Sequence, residues 1–386
     1  MKKPNTFIVA AAVTAAVIAA FWLLLVAPGL TGNPVNMTRG VTALSASHYH
    51  LHMIILWICV VIGVIVFSAM FVSIVLHRKS RGHEPARFTH STKAEITWTV
   101  IPVLILVAMA VPATRALINM EVAPETEMTI KITGFQWRWR YEYVEDGLDF
   151  ISSLDPTSNA ARRLRSGTDP QTVENYLLDV DKPLVLPANT RIKFLITADD
   201  VIHSWWVPAL GWKRDAIPGF VNEAWTEVLE PGVYRGQCAE LCGKDHGFMP
   251  IVLEVLPKAD YRAWVAQQRR AMAHEAAAVE RLWTRQELMD LGEDVYATQC
   301  ATCHQAGGEG LAPGFPALAG SQVVNGPLQD HIDVVLNGRA GTAMQAWGPL
   351  LSPADIAAAL TYTRNAFGNE TGDVVQPQTI ARIKNG

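Results

Sequence analysis

Two short segments of this 386-residue chain contain residue types that bind metals or attach cofactors. Residues 238–246 read Cys-Ala-Glu-Leu-Cys-Gly-Lys-Asp-His, and residues 300–304 read Cys-Ala-Thr-Cys-His. The fifth cysteine, Cys59, lies within an apolar run. A disulfide scaffold would need more cysteines at wider spacing. We therefore interpret the two pairs, each with its own histidine, as two separate ligand or attachment sites.

The first segment, with His203 upstream and Met249 downstream, offers a donor set for copper. Two thiolates, two imidazoles and one thioether are the soft and borderline ligands that copper prefers. Two cysteines four residues apart can bridge a pair of metal ions, with one histidine per ion, whereas a mononuclear blue-copper site needs one cysteine. Two alternatives stay open from the residues alone: a closed zinc site, which leaves Met249 without a role, and a disulfide between Cys238 and Cys242.

The second segment has the pattern of covalent c-type haem attachment. Its spacing lets the thiols of Cys300 and Cys303 add to the two vinyl groups while the imidazole of His304 reaches the iron. Cys-x-x-Cys pairs also occur in redox and zinc proteins, but the histidine that follows directly favours haem. The opposite axial position needs another ligand, for which the candidates are Met344, which would give a His/Met pair suited to electron transfer, and its rival His331.

Length and composition limit the class of protein that can carry these two sites. A chain of 386 residues is long enough for two globular domains plus membrane segments. Half of the residues are apolar, and the formal net charge is −4, which gives no basic surface typical of nucleic-acid binding.

Three apolar stretches, 7–27, 54–76 and 96–118, are each near the roughly 20 residues that cross a bilayer as a helix. The basic residues around them are concentrated before the first stretch and between the second and third, at Lys2, Lys3, Arg78, Lys79, Arg81, Arg87 and Lys93. By the positive-inside rule these segments are cytoplasmic, so both cysteine pairs lie on the outer face.

Residues 1–27, which contain the first stretch, are interpreted as a cleaved signal peptide, with a retained signal anchor as the alternative. The other two form a transmembrane hairpin over residues 48–118. Its first residues include His48, His50 and His52, which we interpret as polar residues at the water interface rather than as a metal cluster.

The outer part divides into two predicted domains and a linker. Residues 125–256 contain short β-branched and aromatic runs between Pro/Gly turns, the pattern of a small β-sandwich or barrel. Within them, residues 134–143 alternate aromatic and polar types as one strand with an aromatic face would, and 149–172 are interpreted as an inserted surface loop. Residues 257–285 indicate a helical linker, and 286–370 an all-α domain.

Three motifs make the chain resemble subunit II of cytochrome c oxidase over residues 35–256: His-Ser-Trp-Trp-Val-Pro at 203–208, Asp-Ala-Ile-Pro-Gly at 215–219, and the cysteine segment from Gly236 to Pro250. The resemblance implies an all-β, cupredoxin-like Greek-key barrel that carries a dinuclear copper centre, CuA. Its implied ligands are His203, Cys238, Cys242, His246, Met249 and the backbone carbonyl of Glu240. The Glu240 side chain is implied to reach a magnesium ion shared with the catalytic subunit.

The same resemblance implies roles for two residues outside the ligand set. Trp137 matches the residue through which electrons enter CuA, whereas Trp139 is interpreted as packing. Glu95 matches a glutamate at the entrance of a proton pathway into the catalytic subunit. Residues 286–368 resemble small class I cytochromes c, in which a loop methionine, here Met344, closes the haem site; Gln345 replaces the proline that usually follows it.

Together these features resemble the caa-type oxidases, whose second subunit is fused to a cytochrome c. The expected function is electron transfer from a cytochrome c-type donor through haem c and CuA to subunit I, which reduces oxygen to water and translocates protons. Expected partners are subunit I, subunit III and a cytochrome c donor, in a bacterial inner membrane with both outer domains periplasmic. The alternatives are the CuA subunit of a nitric oxide reductase and a membrane-anchored copper-delivery protein.

Overall fold

The computed structural model describes residues 6–25, 36–82, 84, 87–162, 167–312, 314–339, 342 and 344–385. They form two compact units, Met1–Tyr261 and Arg262–Gly386, and each is described by itself. The predicted signal-peptide boundary at residues 26–28 lies outside the described residues.

The first unit begins with three long apolar helices, α1 (Thr6–Leu25), α2 (Ala43–Leu76) and α3 (Thr92–Glu121). All three are long and apolar enough to cross a membrane. Helix α3 contains Pro102 and Pro112, which membrane helices tolerate where neighbouring groups satisfy the freed carbonyls. Helix α1 packs on α2, where the rings of Phe21 and Phe67 lie 6.3 Å apart.

Helix α2 starts before its apolar stretch and is fixed to the β domain at that end. Thr42 and Ser45 form a capping box, and the Thr42 hydroxyl also donates to the carbonyl of Leu210 at 2.9 Å. His48 Nδ1 lies 2.9 Å from the carbonyl of Gly211, and His52 Nε2 lies near Asn36. These histidines therefore make hydrogen bonds at the start of the helix.

Ten strands follow, and their bounds are β1 Met128–Phe135, β2 Arg138–Tyr143, β3 Leu148–Ser152, β4 Leu184–Pro187, β5 Arg191–Ala198, β6 His203–Val207, β7 Trp212–Ala216, β8 Asn222–Glu227, β9 Gly232–Gln237 and β10 Pro250–Leu256. They form a five-stranded sheet in the order β3-β2-β1-β5-β8, a three-stranded sheet β4-β10-β9 and the hairpin β6-β7. Side chains alternate between buried and partly exposed along β2 and β5, because successive residues of a strand point to opposite faces.

Aromatic residues form much of the core of this domain. Trp139, Tyr141 and Phe194 are completely buried. Trp205 stacks on Trp212 with ring centres 5.3 Å apart. This all-β domain agrees with the predicted cupredoxin-like class.

The insert at residues 149–172 differs from the predicted surface loop. Strand β3 contains its first residues and pairs antiparallel with β2, and Phe150 packs against the rings of Tyr141 and Tyr143. A short helix, α4 (Pro156–Ala161), follows. The mostly polar composition of the insert did not indicate this edge strand, whose one aromatic ring, Phe150, adds to the aromatic packing. Residues 163–166 of the insert lie outside the described residues.

The remaining described helices are α5 Lys258–Glu280, α6 Arg285–Val295, α7 Ala301–His304, α8 Gln322–Asn325, α9 Leu328–Asn337, α10 Pro353–Asn365 and α11 Pro377–Asn385. The second unit is helical, as predicted. Its core joins α6, α9, α10 and α11 through Leu288, Ile332, Ile356 and Ile380. Helices α6 and α10 approach closely at Gly292, where an added Cβ would lie 2.3 Å from the carbonyl oxygen of Ala358.

Candidate metal and haem sites

The structure brings the predicted thiol and imidazole donors of the β domain together. The Sγ atoms of Cys238 and Cys242 lie 3.8 Å apart. Nδ1 of His203 lies 4.0 Å from Cys238 Sγ, and Nδ1 of His246 lies 3.6 Å from Cys242 Sγ. Ligand atoms of His203, Cys238 and Cys242 all lie within 4.8 Å of one another, and these three residues are buried. Each thiol therefore has an imidazole of its own.

The donor set fits a bound metal. A disulfide would hold the two sulfurs at about 2.05 Å, far less than their separation here. Metal–sulfur bonds of about 2.3 Å let a single ion placed between the sulfurs reach both of them. Glu240 lies beside one of these thiols, since its carbonyl oxygen is 3.4 Å from Cys238 Sγ. Met249 is paired with Cys238 through the main chain, where Cys238 N donates to the Met249 carbonyl at 3.0 Å.

Three strand ends hold these donors. His203 begins β6, the residue after β9 is Cys238, and β10 starts directly after Met249. Strand β9 approaches β6 closely at Gly236, where an added Cβ would lie 2.0 Å from the carbonyl oxygen of Trp206. A side chain at residue 236 would separate the strands, so glycine there brings Cys238 to His203.

Asp200 orients the buried histidine, and the sequence motifs did not identify it. Its Oδ1 lies 2.9 Å from His203 Nε2, so Nδ1 is directed toward the thiols. Burial alone would lower the pKa of His203, but hydrogen bonds with Cys238 and Asp200 raise it. Burial would likewise raise the pKa of Asp200, but hydrogen bonds from His203 and from the backbone N–H of Gln136 lower it.

The two thiols differ in acidity. Burial disfavours the thiolate of Cys238, but hydrogen bonds from His203 and the backbone lower its pKa below the ordinary value. Burial and the neighbouring Cys238 raise the pKa of Cys242. In the metal-free protein Cys238 therefore ionises first, and metal binding releases the proton of Cys242 because the ligand must be a thiolate.

Trp137 lies next to the cysteine segment, at a turn rather than within a strand. Strand β1 ends at Phe135, Phe135 pairs with Arg138, and the two intervening residues form the turn. The prediction of one continuous strand over 134–143 is therefore wrong, because an alternating pattern cannot distinguish a strand from a tight hairpin. The Trp137 indole N–H donates to the Cys242 carbonyl at 3.1 Å.

Trp139 occupies the buried face of β2, as packing requires. Its ring lies edge-on to His203, with ring centres 5.9 Å apart. Gln136 donates from Nε2 to the Cys242 carbonyl at 2.8 Å, a contact that no sequence motif indicated. Gln136 and Trp139, which lie close to Trp137 in the chain, thus contact Cys242 and His203 of the metal-ligand cluster.

The haem-attachment segment lies where α6 continues into a five-residue π-helical turn, Tyr296–Cys300, and then into α7. His304 Nδ1 lies 2.9 Å from the carbonyl oxygen of Pro316, which directs Nε2 away from that carbonyl. A histidine ligand oriented in this way by a carbonyl is the usual arrangement around a bound metal. The donor chemistry and this orientation fit a covalently attached haem.

The two candidates for the second axial ligand lie in different environments. Met344 follows α9 in a loop whose main chain is held by a hydrogen bond from Arg339 N to the Met344 carbonyl at 2.9 Å. His331 lies inside α9 and is buried among core residues. Burial and the charge of Arg364 lower the pKa of His331 to about 4, so it is neutral at pH 7. A loop position leaves Met344 the freer side chain to approach a haem.

Glu95 lies in helix α3, outside the segments that carry the two clusters of donor residues. It is in the first turn of α3, where the positive end of the helix dipole stabilises a carboxylate.

Comparison with known proteins identifies the family. Residues 31–115 match the model of the cytochrome c oxidase subunit II transmembrane domain, and 128–256 that of its periplasmic domain. A probable cytochrome c oxidase subunit 2 of Rickettsia prowazekii is 46% identical over 224 residues, covering 58% of this chain and 68% of the relative. The chain belongs to the cytochrome c oxidase subunit II family.

A second relative, a solved structure and a third family model are also similar to parts of this chain. Cytochrome c oxidase subunit 2 of Cereibacter sphaeroides is 37% identical over 223 residues, covering 54% of this chain and 74% of that protein. The solved periplasmic domain of subunit II of cytochrome oxidase of Bradyrhizobium japonicum is 38% identical, with a TM-score of 0.34, covering 39% of this chain and 99% of that domain. Residues 287–362 match the model described as cytochrome c oxidase, cbb3-type, subunit III.

The chain is therefore a subunit II fused to a cytochrome c domain, of the caa type. The subunit II domains imply copper as a cofactor, membrane anchoring with a periplasmic domain, and association with subunit I in a haem-copper oxidase. The cytochrome c domain implies haem c. The relatives are cytochrome c oxidase subunits, and none of these comparisons favours a nitric oxide reductase.

Removing the Asp200 carboxylate is expected to weaken copper binding. In Asp200→Ala, His203 loses the partner that directs Nδ1 to the thiols, and copper affinity should fall about 10- to 100-fold, as it does when other hydrogen-bond partners of metal-binding histidines are removed. Asp200→Asn keeps an acceptor and should lose less. Competition with a copper chelator measures both, and an Asp200→Ala variant with unchanged affinity would contradict this role.

Proposed function

We propose that this subunit II takes electrons from a cytochrome c-type donor and passes them to subunit I through one haem c and a dinuclear CuA centre. The observation that carries the proposal is the arrangement of two buried thiols 3.8 Å apart, each with its own imidazole, on the same chain as a haem-attachment motif. When bound, the copper pair and the haem supply two one-electron carriers at high effective local concentration.

In this proposal six residues hold the copper pair: His203, Cys238, Cys242, His246, Met249 and Glu240, the last through its carbonyl oxygen. Burial of His203, Cys238, Cys242 and Met249 excludes water from most of the donor set. The Glu240 side chain additionally holds a magnesium ion with groups of subunit I, because carboxylate and water oxygens are the ligands that magnesium prefers.

In the second unit, Cys300 and Cys303 attach the haem, and His304 and Met344 hold its iron. The hydrogen bond to the Pro316 carbonyl supports the role of His304 because it fixes which ring nitrogen can face the iron. The loop position of Met344 supports its choice over His331, which is enclosed in the core of the helical unit.

Trp137 is proposed as the residue where electrons enter the copper centre. The support is its hydrogen bond to the carbonyl of Cys242, which connects a partly exposed indole directly to a ligand residue. Glu95, at the start of a membrane helix, is proposed to lie at the entrance of the proton pathway into subunit I.

The proposed location is a bacterial inner membrane, with α2 and α3 spanning it and the copper and haem domains in the periplasm. The distribution of lysine and arginine supports this orientation. Subunit III and a soluble or membrane-bound cytochrome c are the further proposed partners.

The test is optical and EPR spectroscopy of the purified full-length chain, loaded with copper and matured with haem. A signal from one unpaired electron shared by two coppers, beside a low-spin c-type spectrum, is the expected result. A mononuclear copper signal, or tightly bound zinc in its place, would overturn the proposed copper centre. In the assembled complex, consumption of oxygen rather than nitric oxide tests the terminal acceptor.

A further inference from the structure

One side chain of the insert reaches the segment that carries the copper ligands. Arg162, directly after α4, places Nη1 3.2 Å from Asp245 Oδ1, and its guanidinium carbon lies 4.4 Å from the centre of the Phe248 ring. Asp245 immediately precedes His246, and Phe248 immediately precedes Met249. The Arg162 guanidinium therefore contacts Asp245 and Phe248, the residues that directly precede the proposed ligands His246 and Met249.

The backbone that carries Arg162 is itself held in place. Asp155 caps α4 by accepting from Ser158 N at 2.9 Å, and its own N–H donates to the Asp179 carbonyl. The guanidinium Nε donates to Asn159 Oδ1 at 2.7 Å, one turn earlier. These contacts hold the backbone and the guanidinium of Arg162 in place. Little side-chain entropy is therefore lost when Arg162 contacts the loop.

The ligand-bearing loop, residues 238–249, has one short helical turn and depends on contacts from outside it. Gln136 and Trp137 both donate to the carbonyl of Cys242. Arg162 contacts the loop further along the chain, at Asp245 and Phe248, next to the helical turn at His246–Phe248. Segments with few such contacts open locally at low free-energy cost, so the second attachment matters for the conformation of the loop.

We propose that Arg162 is a positioning residue that holds the loop in its metal-binding conformation before copper binds; this rests on the proposed copper centre. The planar guanidinium suits both contacts, since it pairs with a carboxylate and stacks on an aromatic face at once, which a lysine ammonium does less well. The side chains of Arg162 and Asp245 are only 26% and 22% exposed, so water screens this pair less than the surface pairs of the domain.

Hydrogen exchange on the metal-free full-length chain tests the proposal without copper. In Arg162→Leu, the amides of His246 and Phe248 should exchange about 10-fold faster, as expected from losing one ion pair and one cation–π contact. In Arg162→Lys, the exchange rates of these two amides should fall between those of Arg162→Leu and those of the natural chain. Arg191→Leu is the matched control, because Arg191 pairs with Glu227 on β5 and β8, away from the loop; it should leave these amides unchanged.

The second readout is the rate at which the copper-loaded chain releases copper to a chelator. Release should be about 10- to 100-fold faster in Arg162→Leu and unchanged in Arg191→Leu. Equal behaviour of the two leucine variants in both measurements would overturn the role of Arg162. If Arg162→Leu does not fold, Arg162→Lys and Asp245→Asn decide the same question. Absence of a dinuclear signal in the natural chain would refute the proposed copper centre, while hydrogen exchange would still decide whether Arg162 holds the loop.

Discussion

Replacing Cys238 by serine is expected to abolish the dinuclear copper signal and to lower oxygen uptake by the complex at least 100-fold. Loss of a residue that only hydrogen-bonds to a metal ligand already lowers metal affinity or activity about 10- to 100-fold, and Cys238 is itself a proposed bridging ligand. Its Sγ lies near three other proposed ligands, at 3.8 Å from Cys242 Sγ, 4.0 Å from His203 Nδ1 and 3.4 Å from the Glu240 carbonyl oxygen. A serine hydroxyl is a harder donor that holds copper poorly.

Cys59→Ser is the matched control, because Cys59 is an exposed residue of the membrane helix α2 and lies outside the cluster. It should keep the copper signal and the oxygen uptake of the natural chain. EPR on the purified chain and oxygen consumption by the complex with a reduced cytochrome c donor measure the two effects. A dinuclear signal that persists in Cys238→Ser would show that the coppers are held elsewhere.

Most of the proposed donors could be recognised from sequence because they are concentrated in two short segments, whereas His203 and Met344 lie 35 or more residues from them. The residues from Cys238 to Met249 carry four side-chain donors, and residues 300–304 carry the whole haem-attachment motif. Cysteine and histidine at such spacing have few roles besides metal or haem binding, so residue type alone is informative.

The residues that orient those donors could not be predicted in this way. Asp200, Gln136 and Arg162 are common polar types, and Gln136 and Arg162 are more than 60 residues from the ligand-bearing loop that they contact. Their positions follow from the pairing of β1 with β5 and from the packing of α4, both of which depend on tertiary contacts. No local pattern distinguishes them from other surface residues.

The fold class follows from periodicity, but two local expectations were wrong for one reason. Alternation over residues 134–143 predicted a single strand, and polar composition over 149–172 predicted a loop. In the structure a two-residue turn ends β1, and strand β3 pairs along β2. Composition reports how exposed a segment is, whereas strand pairing depends on partners that lie elsewhere in the chain.

Replacing Met344 by alanine is expected to convert the low-spin c-type spectrum to one with an open or water-occupied axial position. The reduction potential of the haem should fall on the order of 100 mV, because a thioether ligand stabilises the reduced iron and axial ligands set haem potentials over about 0.8 V. His331→Ala is the contrasting variant. It should keep the spectrum and the potential, and it should destabilise the helical unit, since deleting a buried side chain leaves a cavity worth about 1–3 kcal/mol.

If Met344 binds the iron, Met344→Ala changes the haem spectrum and His331→Ala does not. If His331 binds it, the reverse holds. His331 is 5% exposed in the middle of α9, and making it a ligand would require that helix to turn its buried face outward. Met344 lies in the loop between α9 and α10 and is partly exposed, so no helix has to turn for its side chain to move. Redox titration and thermal unfolding of both variants, beside the natural chain, separate loss of a ligand from loss of packing. A spectrum altered in His331→Ala and unchanged in Met344→Ala would assign the iron to the histidine and would require α9 to reorganise when haem is attached.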